Sequence, residues 1–314
     1  MERKLAFDVM KGISIILVII GHLQIPNILH HIIYSFHMPL FVIIGGYFFK
    51  SNSIKSFNVL KDIKRLGLPY LFTISVLFLY TCIVLFVCEG GNIAGLCISI
   101  LYPDGIFENS ILPIWFLMAL LWSRLLAKIL WYDNSNILFR WVAVIAISWA
   151  AYLYQPIDFL PLCLTKGCVF IVFYSIGYCA SKSSFMASKQ ILYISIACWA
   201  MYLLTLNLNI FQLYRGILFP LYVFGASGAT LIFYKVSLMI ENHFPNITRS
   251  LCWFGRFSMV ILCVHTIDRY IPMLHIMHLD QNVFILFVSR LLVCVIGVLI
   301  VRRSKCLSVI FQIK

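Results

Sequence analysis

Lys11 and His22 close the two ends of an uncharged ten-residue run in the stretch "DVMKGISIILVIIGH", from Asp8 to His22. At about 100° per residue, eleven steps fall within about 20° of three full turns, so both side chains share one helix face. A rise of about 1.5 Å per residue sets them about 16 Å apart along the axis, roughly half the hydrocarbon thickness of a bilayer. This spacing predicts a lined stripe with Lys11 near the cytosolic surface and His22 deeper. A neutral imidazole accepts a proton from a hydroxyl, and a cation at the mouth of a path attracts an anion. The same two residues also admit a structural role, with His22 bonding a neighbouring helix and Lys11 snorkelling at a membrane flank. Asp8, one turn before Lys11, either orients that lysine or marks the interface.

Five further groups have types and spacings that bear on chemistry. Lys61, Lys64 and Arg65 in "KDIKRLGLPY" are three and four residues apart, so a helix clusters them. They serve as a landing site for phosphates or as a topology signal. His37 in "FHMPLF" precedes Pro39 inside an apolar run, where a proline kinks a helix beside a cavity. It either lines the same cavity as His22 or serves packing, whereas His30 and His31 are expected in a solvated outer loop. Arg290 in "VFILFVSRLLVCVIG" costs about 2.5–3.5 kcal/mol at a span centre, so it must face a cavity or pair with Asp268 or Asp280. His265, one turn before Asp268 and Arg269, is placed towards an acceptor. Trp115 and the tyrosines stack on a sugar or belong to interfacial belts.

The elements that must hold these residues follow from composition. The chain has 314 residues, of which 62% are hydrophobic and 11% charged, with a mean hydropathy of +0.99. Soluble domains carry about 25% charged residues, so this is an integral membrane protein. Apolar runs near 12–26, 32–49, 66–88, 112–130, 141–157, 167–181, 190–214, 216–234, 257–272 and 283–301 predict an all-α bundle of about ten transmembrane helices. With the N-terminus in the cytosol, 20 of the 24 Lys and Arg residues fall in inside gaps, which predicts that both termini are cytoplasmic. No cleavable leader is expected, and with no internal repeat or linker residues 1–314 are read as a single membrane domain. The net charge of +13 lies in short gaps rather than in a basic domain, so nucleic acid is not the expected partner. The eleven cysteines lie mostly within apolar runs without ligand-like pairs, so they are read as reduced small hydrophobes and no metal is expected.

The stretches "AFDVMKGISIILVIIGH", "YSFHMPLFVIIGGYFF" and "IKRLGLPYLF" resemble the family-3 membrane acyltransferases, bacterial proteins that O-acylate cell-surface polysaccharides. The similarity is greatest to short, single-domain members of the fucose 4-O-acetylase type. Weaker matches are "PIWFLMALL" at 113–121 and "GRFSMVILCVH" at 255–265. The family's first helix carries a basic residue, ten intervening residues and a histidine, positions that Lys11 and His22 occupy, with Lys where Arg is commoner. Lysine is a point charge without the bidentate fork of arginine. Gly45 stands where the family usually has a serine before "GY".

The resemblance implies a ten-helix bundle in the bacterial cytoplasmic (inner) membrane, with acetyl-CoA as the acyl donor reached from the cytosol. The acceptor would be a surface glycan or lipid-linked saccharide, and the activity acyl-CoA-dependent O-acyltransfer, with acetyl the expected group. His22 is then the catalytic base, and Lys11, Lys61, Lys64 and Arg65 receive the cofactor. Asp8, His37, Trp115, His265 and Arg290 take supporting or acceptor-side places. The rival reading is a transporter or flippase of a lipid-linked sugar, which would show similar spans and embedded charges. A third is an inactive relative, which Lys11 and Gly45 leave open.

Overall fold

A computed structural model describes residues 4–50, 59–88, 94, 113–131, 136–154, 160–183, 188–208, 216–271 and 282–313. Among them there is no strand. In chain order the helices are α1 (Leu5–Gly21), α2 (Asn27–Tyr34), α3 (His37–Tyr47), α4 (Val59–Cys88), α5 (Trp115–Leu130) and α6 (Ile137–Tyr154). A 3-10 turn (Pro161–Cys163) then leads into α7 (Leu164–Ser181), α8 (Lys189–Asn207), α9 (Phe219–His243), α10 (Pro245–Arg256), α11 (Ser258–Tyr270), α12 (Val283–Arg303) and α13 (Lys305–Ile310). Among the described residues, seven helical segments are long and apolar enough to cross a membrane, or eight if α10 and α11, broken at Phe257, count as one. Large apolar side chains point outward along them, including Tyr193 and Ile194 on α8 and Phe284, Ile296 and Ile300 on α12. The protein is therefore a multi-pass helical membrane protein. The helices α1 and α5, with 17 and 16 residues, fall just below that length.

The chain divides into two compact units. The first holds residues 1–57, 122–157 and 165–256, thus α1 to α3, the end of α5, and α6 to α10. Its centre is a cluster of Phe7, Met10, Phe36, Leu40, Ile44 and Ala229, with Tyr47, Trp199, Phe233 and Tyr234 packed around it. Phe36 and Phe233 stack at 4.2 Å. Lipid tails are as apolar as these side chains, so association in a bilayer rests on close packing, and small residues mark where backbones meet. At the crossing of α1 with α10, a methyl group on Gly12 would lie 2.8 Å from the carbonyl carbon of Leu251 and closer still to its oxygen. The reciprocal position is Gly255, where a methyl group would press on the Asp8 carbonyl in the same way. Each helix has thus given up a side chain at the point where the other's backbone passes.

The second unit holds residues 58–121, 158–164 and 257–314. Here α11 packs between α4 and α12. Thr81 of α4 and Tyr270 of α11 share a hydrogen bond of 3.1 Å. The Cys294 thiol of α12 points at the carbonyl of Ile261, 3.9 Å away.

Two spans differ from the expectation. The first helix begins at Leu5 rather than near residue 12, because Ala6, Phe7, Val9 and Met10 are all buried in the first unit. The second is broken at Ser35–Phe36, and Pro39 is the third residue of α3 rather than a kink inside it. A first-turn proline gives up only an N–H that has no intrahelical partner in any case.

Candidate functional site

The path from Lys11 to His22 is one uninterrupted helix, α1, in the first unit. Lys11 is half-buried, and its Nζ lies 2.8 Å from Oδ1 of Asp8, one turn earlier. Asp8 is itself only 6% exposed, so the carboxylate is a fixed group against which the lysine is aimed. The Gly12–Gly255 crossing lies on either side of this pair, because Gly255 meets the backbone of Asp8 and Gly12 adjoins Lys11. Sequence placed Lys11 at the mouth of the path. In the structure it lies six residues after Leu5, about 9 Å along the axis from the start of α1.

His22 closes α1 as its C-terminal cap and is half-buried, at the end of the helix rather than in its middle. The ring turns back onto its own helix, with Nδ1 2.7 Å from the carbonyl oxygen of Val18. A carbonyl only accepts, so Nδ1 carries the proton, and in the neutral ring the lone pair is on Nε2. This is the tautomer a general base needs, and it is held by a backbone group that does not titrate.

Around His22 the fold gathers residues that the sequence reading kept apart. Tyr34, the last residue of α2, donates its hydroxyl to the carbonyl of Gly21 at 3.3 Å. Its ring stands edge-on to His22 at 6.3 Å and to His37 at 4.8 Å. His30 stacks on the Tyr34 ring at 3.9 Å. His31 meets the side-chain oxygen of Asn207 at 2.8 Å. His30 and His31 therefore sit half-buried on a helix, not in a solvated loop, because α2 starts at Asn27 and puts His30 one turn before Tyr34. His37 is buried, with Nδ1 2.7 Å from the carbonyl of Ile33. Tyr34 links His22 with His30 and His37, a grouping that the sequence reading did not anticipate.

At the opposite end of α1, Lys4 donates to the Tyr47 hydroxyl at 2.8 Å, which raises the lysine pKa above its ordinary value. Tyr47 belongs to the "GGY" stretch. Of its two glycines, Gly46 is the one closed in by backbone, since a methyl group there would meet the carbonyl of Tyr174 on α7. Gly45, the residue in the usual serine's place, is half-buried.

The remaining site residues lie in the second unit. Lys61, Lys64 and Arg65 are exposed on the first two turns of α4, and Asp62 between them is buried. Trp115 opens α5, half-buried and edge-on to Phe116 at 6.0 Å. His265 is fully buried in α11. The Arg290 Nε lies 3.7 Å from Oδ2 of Asp268, an ion pair wider than a hydrogen bond. Asp280, the other proposed partner of Arg290, lies outside the described residues.

A carboxylate-held lysine and a backbone-held histidine thus lie on one helix of a protein with several apolar spans. The family model for the acyltransferase domain matches residues 4–302, which takes in every candidate site residue named above. The chain belongs to this family, membrane acyltransferase family 3, and is an acyltransferase. No curated protein and no solved structure matches it.

Proposed function

We propose that the protein transfers an acyl group, acetyl by expectation, from acyl-CoA to a hydroxyl of a cell-surface polysaccharide or its lipid-linked precursor. The observation that carries this reading is the α1 site, His22 fixed as the Nε2 base on the same helix as the Asp8-bound Lys11, in a chain of this family. In the reaction, Nε2 of His22 takes the proton of the acceptor hydroxyl. The hydroxyl oxygen attacks the thioester carbonyl carbon, and a carbon–oxygen bond forms. The carbon–sulfur bond then breaks, the thiol leaves with the proton from His22, and the base is regenerated. Lys11 attracts the anionic donor, and Asp8 sets its direction.

Lys61, Lys64 and Arg65 form the cytosolic landing site for the donor phosphates in this scheme. The shorter helices α1 and α5 also traverse the membrane, at about 25 Å each, giving ten spans with both termini in the cytosol of a bacterial inner membrane. The Tyr34–His30–His37 group sits on the acceptor side of His22.

Mass spectrometry of surface glycans from wild-type and deletion strains tests the reading. A loss of about 42 Da per acceptor site, the mass of one acetyl group, is expected in the deletion strain. Unchanged glycan masses with normal export would refute it.

A further inference from the structure

The last four carbonyls of a helix have no partner within it, and at the end of α1 their partners decide how firmly His22 is held. The His22 ring meets the Val18 oxygen through Nδ1 at 2.7 Å. The His22 N–H donates to the Ile19 carbonyl at 3.2 Å, and the Leu23 N–H to that of Ile20 at 2.9 Å. The fourth carbonyl, that of Gly21, accepts the Tyr34 hydroxyl at 3.3 Å. Three of these partners belong to the two residues that follow α1. The fourth comes from α2.

The Gly21 carbonyl and the His22 N–H are parts of one planar peptide unit. With the Tyr34 hydroxyl on its oxygen and the Ile19 carbonyl on its hydrogen, that plane is fixed at both ends, directly before the Cα of His22. Helix ends otherwise fray. The bond from Nδ1 to Val18 then aims the imidazole from a backbone that is itself held.

Gly21 makes this contact possible. A methyl group there would lie 2.9 Å from Cε2 of the Tyr34 ring and 3.3 Å from Cγ2 of Ile33, closer than the carbon–carbon contact of about 3.5 Å. Tyr34 is secured in turn. His30 stacks on its ring at 3.9 Å, and His37 of α3 stands edge-on at 4.8 Å. On either side of it in the chain, His31 meets Asn207 of α8 at 2.8 Å, and Ser35 accepts the Trp199 Nε1–H of α8 at 2.9 Å. Packing alone calls for the ring. The hydroxyl adds a bond to the one peptide that carries His22.

We infer that Tyr34 is a positioning residue for His22, its hydroxyl holding the last peptide of α1 and with it the direction of the Nε2 lone pair. The inference rests on the reading of His22 as the base of acyl transfer. A misplacement of about 1 Å costs up to about 100-fold in rate, so a clamp on this peptide acts on turnover rather than on donor binding.

The test uses the full chain in lipid nanodiscs, with acetyl-CoA as donor and surface glycan extracted from the deletion strain as acceptor. Tyr34→Phe keeps the ring and removes the hydroxyl. Its kcat is expected to fall about tenfold, with the KM for acetyl-CoA and the thermal midpoint close to wild type. In a His22→Gln background the same substitution should leave the residual rate unchanged, because nothing remains to be positioned. Gly21→Ala presses the ring away and should lower kcat in the same way, without adding to the loss in Tyr34→Phe. The second readout is the ¹⁵N spectrum of histidine-labelled protein, in which the His22 signals are those missing from His22→Gln. Tyr34→Phe should convert one Nδ1-protonated form into a mixture of tautomers. A wild-type kcat in Tyr34→Phe, or an equal fold loss with and without His22, overturns the inference and leaves His22 as the base. Unchanged His22 signals in Tyr34→Phe overturn it at any transfer rate. Wild-type transfer by His22→Gln overturns the base assignment first, and this inference with it.

Discussion

Replacing Gly12 by alanine tests whether the α1–α10 crossing positions the site. The added methyl group would lie 2.8 Å from the Leu251 carbonyl carbon, whereas carbon atoms in contact stay about 3.5 Å apart or more. The helices must separate by about 0.7 Å or more, and the obstacle is backbone, which no rotamer change can move. Overpacking of this kind costs about 1–3 kcal/mol, and the absence of a flexible neighbour puts Gly12 at the upper end. Alanine recovers about 1 kcal/mol of helix propensity over glycine, leaving a net loss near 2 kcal/mol. Gly67 on α4 supplies the control. There a methyl group meets only the Ile63 Cγ2 at 3.6 Å, an ordinary contact, so the propensity gain should stand alone. Thermal inactivation of the purified protein should show Gly12→Ala clearly less stable than wild type and Gly67→Ala equal or more stable. Because Lys11 and Asp8 flank the crossing, a displacement approaching 1 Å is also expected to lower acyl transfer by up to about 100-fold. A Gly12→Ala protein as stable and active as wild type would refute the reasoning.

Four other outcomes follow from the geometry. His22→Gln, which removes the Nε2 base while keeping a polar side chain, should cut acyl transfer by about 10²–10⁴-fold with folding intact, read by transfer rate and thermal midpoint. Asp8→Asn removes the charge that aims Lys11 and should cost about 1.5–3 kcal/mol of stability, with a higher KM for the donor, measured by thermal inactivation and kinetics. Tyr47→Phe removes the hydrogen bond that raises the pKa of Lys4 above 10.5. A raised lysine pKa contributes stability below pH 10.5 and loses it as pH climbs through the folded value, so the stability difference should be constant near neutrality and vanish at high pH. Asp268→Ala leaves Arg290 without its ion-pair carboxylate and should destabilise by about 3–5 kcal/mol, while Asp268→Leu with Arg290→Met should cost much less, a contrast read by thermal midpoints.

What the sequence by itself determined is local and periodic. Apolar runs determined an all-helical membrane protein, because a bilayer leaves a spanning backbone few ways to satisfy its own hydrogen bonds. The eleven-residue step put Lys11 and His22 on one helix, and the three-residue step put Asp8 on Lys11, since helical geometry sets such distances without reference to the rest of the chain. The Asp268–Arg290 pair was also legible, as an arginine in an apolar span calls for a counter-ion.

Only the tertiary structure decided the rest. The start of α1 at Leu5 depends on what buries Phe7 and Met10, namely α3 and α9, and it leaves Lys11 six residues after the helix start. The break at Ser35 brought Tyr34 to Gly21, and with it His30, read as solvated, which stacks on the tyrosine ring that stands beside His22. Trp131, just past α5, meets Tyr178 of α7, 47 positions along the chain, a contact that no local periodicity sets. Such meetings depend on which glycines let which backbones approach, and Gly12 and Gly255 are 243 residues apart. Helical periodicity sets the direction of each side chain, but packing alone decides what it faces.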